Sequence, residues 1–136
     1  MSGIGGAGAE CPCGSTRAYA ACCGPLHAGA SASDALSLMR SRYSAFVLQN
    51  EPYLLATWHP SRRPESIPFS TNVKWLGLRI VAFRVTGVAS AEVEFVARSR
   101  ASNAAAVRLH ERSRFVLEDG RWFYVDGDLL EKPTKA

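Results

Sequence analysis

No cysteine occurs beyond position 23 of this 136-residue chain. All four lie within thirteen residues, at Cys11, Cys13, Cys22 and Cys23. A disulfide scaffold spreads its bridges through the fold, so this clustering argues against one. Long apolar runs are also missing. The longest are Ala45-Phe46-Val47-Leu48 and Tyr53-Leu54-Leu55-Ala56, whereas a membrane-spanning helix needs about 20 apolar residues. The opening Met1–Gly8 has neither a charged n-region nor an apolar h-region. It does not read as a secretory signal, and a reducing, cytoplasmic setting without membrane contact is expected. Neither sign of charge dominates. Sixteen basic and twelve acidic side chains leave a net charge of +4, an excess too small to demand a nucleic-acid partner. No internal repeat is visible. Apolar residues make up 47% and charged residues 21% of the chain, which is enough for one domain with its own core but not for two.

The cysteines carry the clearest chemistry. Clustered thiols in a reducing setting read as a metal site. The pattern is C-x-C-x8-C-C, and four thiolates in tetrahedral array suit zinc, which imposes no geometry of its own. Gly14 and Gly24 each follow a thiol, where a positive φ would turn backbone amides toward sulfur. Arg17 is placed to offset part of the charge of a zinc tetrathiolate. A site closed by Cys11, Cys13, Cys22 and Cys23 leaves no open position for a substrate, so the zinc would be structural. Other readings stay open. These are a strained vicinal Cys22–Cys23 disulfide acting as a redox switch, an iron–sulfur cluster without the usual spacings, uncommitted free thiols, and His27 in place of one thiolate.

The stretch Cys11-Pro12-Cys13-Gly14-Ser15 … Ala20-Ala21-Cys22-Cys23-Gly24 resembles the SEC-C motif, the zinc knuckle at the C-terminal end of the SecA translocation motor. Thr16 stands where that motif usually has glycine, and the usual lysine before the cysteine pair is missing. Neither position is a ligand. Leu38-Met39-Arg40-Ser41-Arg42-Tyr43-Ser44-Ala45-Phe46, Thr57-Trp58-His59-Pro60, Trp75-Leu76-Gly77-Leu78 and Val93-Glu94-Phe95 resemble the YchJ family. So do His110-Glu111-Arg112-Ser113-Arg114-Phe115 and Gly120-Arg121-Trp122-Phe123-Tyr124-Val125-Asp126-Gly127. The resemblance covers nearly all of residues 11–129. It implies a SEC-C knuckle followed by a nuclear transport factor 2-like domain, with helices packed on a curved antiparallel sheet in a cone like those of cystatin and ketosteroid isomerase. It implies no established activity, so no catalytic residue carries over. A docking role for the knuckle is implied by the way the SecA knuckle docks on the SecB chaperone and on ribosomes.

The expected organisation is a disordered Gly/Ala-rich tail over 1–10, the knuckle over 11–27, a short linker, and the cone domain over 33–130. Ser33 is the expected cap of a first helix, with Asp34 in its first turn. Leu36, Met39, Tyr43, Phe46 and Val47 recur at helical spacing and leave Ser37, Arg40, Ser41 and Ser44 on the opposite face. That helix is expected to end near Asn50. A second, shorter one opens at Asn50-Glu51-Pro52 and runs through Trp58. Residues 60–73 read as a loop. Four strands follow, over 74–86, 91–100, 106–118 and 121–126, with Asp119-Gly120 as a two-residue hairpin turn. The last residues, 132–136, read as a loose tail. The result is an α+β layer with helices on one sheet face.

A regular hairpin at Asp119-Gly120 pairs Phe115 with Tyr124, Ser113 with Asp126 and Glu111 with Asp128. Alternation then places Leu109, Glu111, Ser113, Phe115, Leu117, Trp122, Tyr124 and Asp126 on one face. This face is the richer in aromatic groups and is expected to meet the helices. Buried carboxylates need partners, and Arg42 or backbone amides could serve Glu111. Alternatively His59, Glu111, Ser113, Tyr124 and Asp126 line a polar cavity for a small molecule, where burial and like charge would raise one carboxyl pKa. The opposite face carries a basic stripe of Arg108, Arg112, Arg114 and Arg121 beside His110, with Glu92 and Glu94 near enough to neutralise much of it. The residues favour a binding or adaptor protein over an enzyme. A cavity ligand and weak RNA binding through the stripe are the alternatives.

Overall fold

A computed structural model describes residues 9–69, 72–130 and 134–135. The chain starts with a short 3-10 turn, Tyr19–Ala21, followed by α1 (Cys23–His27), α2 (Ala35–Leu48) and α3 (Glu51–Ala56). The rest is a meander of β1 (Val73–Gly87), β2 (Ser90–Ala101), β3 (Val107–Glu118) and β4 (Arg121–Leu129), each antiparallel to its predecessor. The architecture is α+β, with helices on a curved sheet. Among the described residues, no helix is long and apolar enough to cross a membrane.

Local chemistry sets the helix ends. Asp34, rather than Ser33, caps α2, its carboxylate accepting from Ser37 N at 2.7 Å. Ser33 Oγ instead meets Ser37 Oγ at 3.4 Å. Helix α2 stops at Leu48 because Gln49 turns left-handed (φ 56°) and its N–H closes on Phe46 O. Asn50 caps α3 through Tyr53 N, with Pro52 in the first turn. Helix α3 ends at Ala56, before the expected Trp58, because the chain is captured by the sheet. His59 N donates to Tyr124 O at 2.7 Å, and Tyr124 N to Thr57 O at 2.9 Å. These bonds lay residues 57–59 along the outer edge of β4.

The core joins one side of α2 to the concave sheet face: Leu38, Met39 and Tyr43 pack on Ala91, Val93, Phe95, Ala97 and Phe115. Ser41 and Ser44, expected on the open side of α2, are both 0% exposed. The knuckle covers them, so α2 is buried on two sides. Three register shifts in β1, near Leu76, Val81 and Thr86, bend the sheet.

The hairpin starts as expected. Asp119 and Gly120 both take positive φ, 51° and 77°, as a two-residue primed turn requires. Glu118 faces Arg121 and Phe115 faces Tyr124. A bulge then takes up Val125, and the expected pairing breaks. Arg114 faces Asp126, Ser113 faces Gly127 and Glu111 faces Leu129. Because side chains alternate, the extra residue moves Asp126 to the outer face. Gly127 takes the inner position, and it must be small, since a β-carbon there would collide with Glu111 Oε2 and sit 3.1 Å from Arg112 O.

At the chain ends, residues 1–8, expected to be disordered, lie outside the described residues, as do 131–133 and 136 of the expected loose tail. Tyr19 N donates to Ala9 O at 2.8 Å, and Glu10 bridges Ala18. The backbone of Thr134–Lys135 adds a two-residue β5 against Val107 and Arg108 of β3.

The crowding at Gly127 predicts that Gly127→Ala lowers stability by about 1–3 kcal/mol, the usual range for overpacking. Urea denaturation checks this. Adding Glu111→Ala should recover most of the loss, because it removes the nearer obstruction.

Candidate metal centre and adjoining cavity

Two turns bring the cysteines together. Cys11 N donates to Arg17 O at 2.8 Å and Gly14 N to Cys11 O at 3.3 Å, closing a loop with Cys11 and Cys13 at its base. Gly14 has φ 83°, a conformation that a side chain would strain. Thr16 also adopts a left-handed φ, 69°. Its side chain therefore bears strain that the glycine usual in the motif would not. Gly24 departs from expectation. It lies inside α1, and what it provides is space, because a β-carbon there would approach Tyr19 O to 2.8 Å.

The four sulfurs lie within 4.8 Å of one another, with Cys11, Cys13 and Cys23 buried and Cys22 half-buried. A tetrahedral zinc site with Zn–S bonds of about 2.3 Å sets sulfurs about 3.8 Å apart. Cys13 Sγ and Cys22 Sγ are separated by 3.7 Å. The donor set is soft and all-sulfur, so these residues fit a metal ion of the zinc class. The thiols are not equivalent. A hydrogen bond from Cys23 and others from Ser15 hold Cys13 at about 4, against the effect of burial. Giving that hydrogen bond, together with burial, pushes Cys23 far up. Burial, above all, raises Cys22. One thiolate is thus favoured in advance, and Cys22 and Cys23 need a cation to ionise beside it.

The knuckle is fastened to α2. Ser44 Oγ lies 3.4 Å from both Cys11 Sγ and Cys23 Sγ. Arg40 donates to Cys13 O at 3.0 Å. His27 Nε2 lies 2.8 Å from Ser41 O, and Nδ1 lies 2.7 Å from the Tyr19 hydroxyl. A carbonyl only accepts, so Nε2 carries the proton and Nδ1 accepts from Tyr19. Burial lowers the His27 pKa, consistent with a neutral ring. Both ring nitrogens are engaged, so His27 is a latch and not a substitute ligand. Arg17 donates to Ala21 O, the carbonyl that precedes Cys22.

On its other side α2 borders a cavity of about 260 Å³ against the sheet. Three of the expected pocket residues line it: Glu111, Ser113 and Tyr124. The Ser113 hydroxyl donates to Glu111 Oε2 at 2.9 Å. Burial raises the Glu111 pKa, opposed by that hydrogen bond and by the charge of Arg42. The other two candidates lie elsewhere. Asp126 is outside, accepting from Arg114 Nε at 2.6 Å and facing Arg62 at 3.6 Å. His59 is held at the hairpin end by Glu118, 2.9 Å from its Nε2, and packs edge-on to Phe123. The bulge at Val125 removed the first, and the link from residues 57–59 to β4 removed the second.

Arg42 is the residue that sequence reasoning undervalued. It is 4% exposed and donates to Leu54 O at 2.8 Å and Thr57 Oγ1 at 2.6 Å. Its guanidinium lies over the rings of Tyr124 (4.6 Å) and Trp58 (5.2 Å). Burial brings its pKa down to about 10. A signal existed: Arg42 falls on the apolar stripe between Met39 and Phe46, where a cation has to find partners. Acids meet part of the outer basic stripe. Arg114 binds Asp126 and Asp128, His110 binds Glu94 at 2.7 Å, Arg112 approaches Glu94 at 4.0 Å, and Arg121 donates to Gly29 O.

Comparison with known proteins agrees with both halves. Residues 34–127 match the family model described as "YchJ, middle NTF2-like domain", and residues 9–25 match the SEC-C motif. A UPF0225 protein of Polaromonas is 57% identical over 130 residues, covering 89% of this chain and 94% of that protein. One from Bordetella parapertussis is 58% identical over 125 residues, covering 89% and 93%. The solution structure of a SEC-C motif containing protein from Rhodopseudomonas palustris superposes with TM-score 0.78 at 33% identity, covering 90% of this chain and 100% of that one.

The latch predicts that His27→Phe destabilises the chain by about 1–3 kcal/mol, because Ser41 O and the Tyr19 hydroxyl lose their partner. Metal content should be unchanged, and loss of the metal equivalent would instead make His27 a ligand. Glu111 supplies a pH test. Its folded pKa is raised, so its unfavourable contribution is absent below the unfolded value of about 4.3 and grows as pH rises through the folded value. Glu111→Gln should therefore be more stable than the parent at pH 8. The gap should close toward pH 4 in denaturation curves.

Proposed function

The chain belongs to the YchJ (UPF0225) family, and from that premise we propose that it is a zinc-dependent adaptor. In this reading one zinc ion is held by Cys11, Cys13, Cys22 and Cys23, and the knuckle docks on a macromolecular partner in the cytoplasm, with the ribosome as the first to test. The observation that carries the reading is the convergence of four sulfurs within 4.8 Å at the surface of α2. A site closed by four protein ligands cross-links the chain and offers substrate no coordination position, so its chemistry is structural.

Docking is supported by what the knuckle leaves outside. While its sulfurs turn inward, Gly14, Thr16, Arg17, Ala20 and Ala21 stay exposed. These are mostly small residues around one cation, a surface that a partner can approach closely. Ser44, Arg40 and His27 hold the knuckle in one orientation on α2. A preorganised surface loses less conformational freedom on binding.

Native mass spectrometry of protein purified without chelator should show one zinc per chain, and Cys13→Ser should lose it. Co-sedimentation with purified ribosomes should be abolished by the pair Thr16→Glu and Ala20→Glu while zinc content stays at one. Sedimentation that is absent in the parent, or undiminished in the pair, would overturn ribosome docking through this surface. A metal-free chain with thiols oxidised in pairs would overturn the zinc reading itself.

A further inference from the structure

We propose that the cavity between α2 and the concave sheet face is a binding site for a small aromatic monocarboxylate, whose charge is met by Arg42. The argument begins with shape. The space is about 260 Å³, and its wall is mostly ring and hydrocarbon, with Phe46, Trp75, Phe95 and Leu109 around the apolar part. Flat aromatic molecules suit such a wall, because stacked and edge-on contacts add to the burial of apolar area.

Charge selects the other end of the ligand. Arg42 is a buried cation, and both acceptors of its hydrogen bonds are neutral, a carbonyl and a hydroxyl. Buried charges are ordinarily completed by an opposite charge. Glu111 lies on the same wall, but among the described residues no ion pair within 4.0 Å joins it to Arg42. Glu111 Oε2 instead takes the Ser113 hydroxyl. The same wall holds a donor without a partner: the indole Nε1–H of Trp58 is buried with no acceptor among the described residues. A carboxylate entering beside Arg42 brings one negative charge and two oxygens, which meet both deficiencies.

The same features reject other classes. A cationic ligand would be set against Arg42 in a poorly hydrated space. A phosphate ester would carry close to two negative charges to a single cation. Burial raises the Glu111 pKa, which lessens its repulsion of an incoming anion.

The test uses the full chain with its metal and 1-naphthoate as probe, followed by calorimetry and by the fluorescence of Trp58 and Trp75. Controls are 1-naphthamide, which keeps the rings without the charge, and octanoate, which keeps the charge without the rings. Naphthoate should bind at least about tenfold more tightly than either control, a difference of about 1.4 kcal/mol. Arg42→Met should abolish that preference. Because Arg42 also holds the end of α3, Ala97→Leu provides an independent variant that fills the cavity from the sheet side. It should weaken naphthoate binding at least about tenfold while melting stays cooperative and zinc content stays unchanged. Equal affinity for the amide, equal affinity for octanoate, unchanged binding by Ala97→Leu, or no binding at millimolar naphthoate would each overturn the proposal. Zinc content and ribosome sedimentation, read on the same samples, separate its failure from that of the adaptor reading.

Discussion

Helix α2 is buried on two sides at once, and the rest of the molecule is arranged to make that possible. Its sheet side buries Leu38, Met39 and Tyr43, which the concave face accommodates without further conditions. Its knuckle side buries Ser41 and Ser44, whose hydroxyls cannot be left unpaired. Ser44 Oγ lies between two cysteine sulfurs, and Ser41 Oγ lies 2.6 Å from the Tyr53 hydroxyl and bonds Leu38 O. The cysteine cluster is therefore part of the packing of the helix, and not an appendage on a tether. Any change that loosens the knuckle uncovers polar groups in the middle of the fold.

The same helix joins the two chemically distinctive places. Arg40 holds the backbone of Cys13, and two residues later Arg42 borders the cavity. A helical turn of 3.6 residues puts neighbouring positions on different faces. One short segment, Arg40-Ser41-Arg42-Tyr43-Ser44, can thus serve metal centre and cavity in alternation. Occupation of the cysteine site and the geometry around Arg42 share one rigid element.

A single extra residue decides the electrostatics of the sheet. The bulge at Val125 sends Asp126 outward to Arg114 and Arg62, where Asp128 also binds Arg114. Had β4 stayed regular, Asp126 would face the concave side with Glu111, giving two carboxylates near a single buried cation. With the bulge, the cavity keeps one acid, and Gly127 makes room for it. On the outer stripe, basic when counted by residue, Arg114, His110 and Arg112 meet acids.

Much of this could be read from residue types and spacing, because the physics involved is local. Four thiols in thirteen residues, the cap at Asn50, the primed turn at Asp119-Gly120 and the alternation along β2 and β3 each depend on neighbours within a few positions. The sequence determined the helix-then-meander order, the cysteine centre and the placing of Glu111, Ser113 and Tyr124 on the inner face. Tertiary structure alone decided the bulge at Val125, the capture of residues 57–59 by β4, the burial of Ser41 and Ser44, and the latch role of His27. Each of these depends on contacts between segments far apart in the chain. Periodicity reports which side of an element is apolar. It does not report that a second layer will cover the polar side, or that one strand will take in an extra residue.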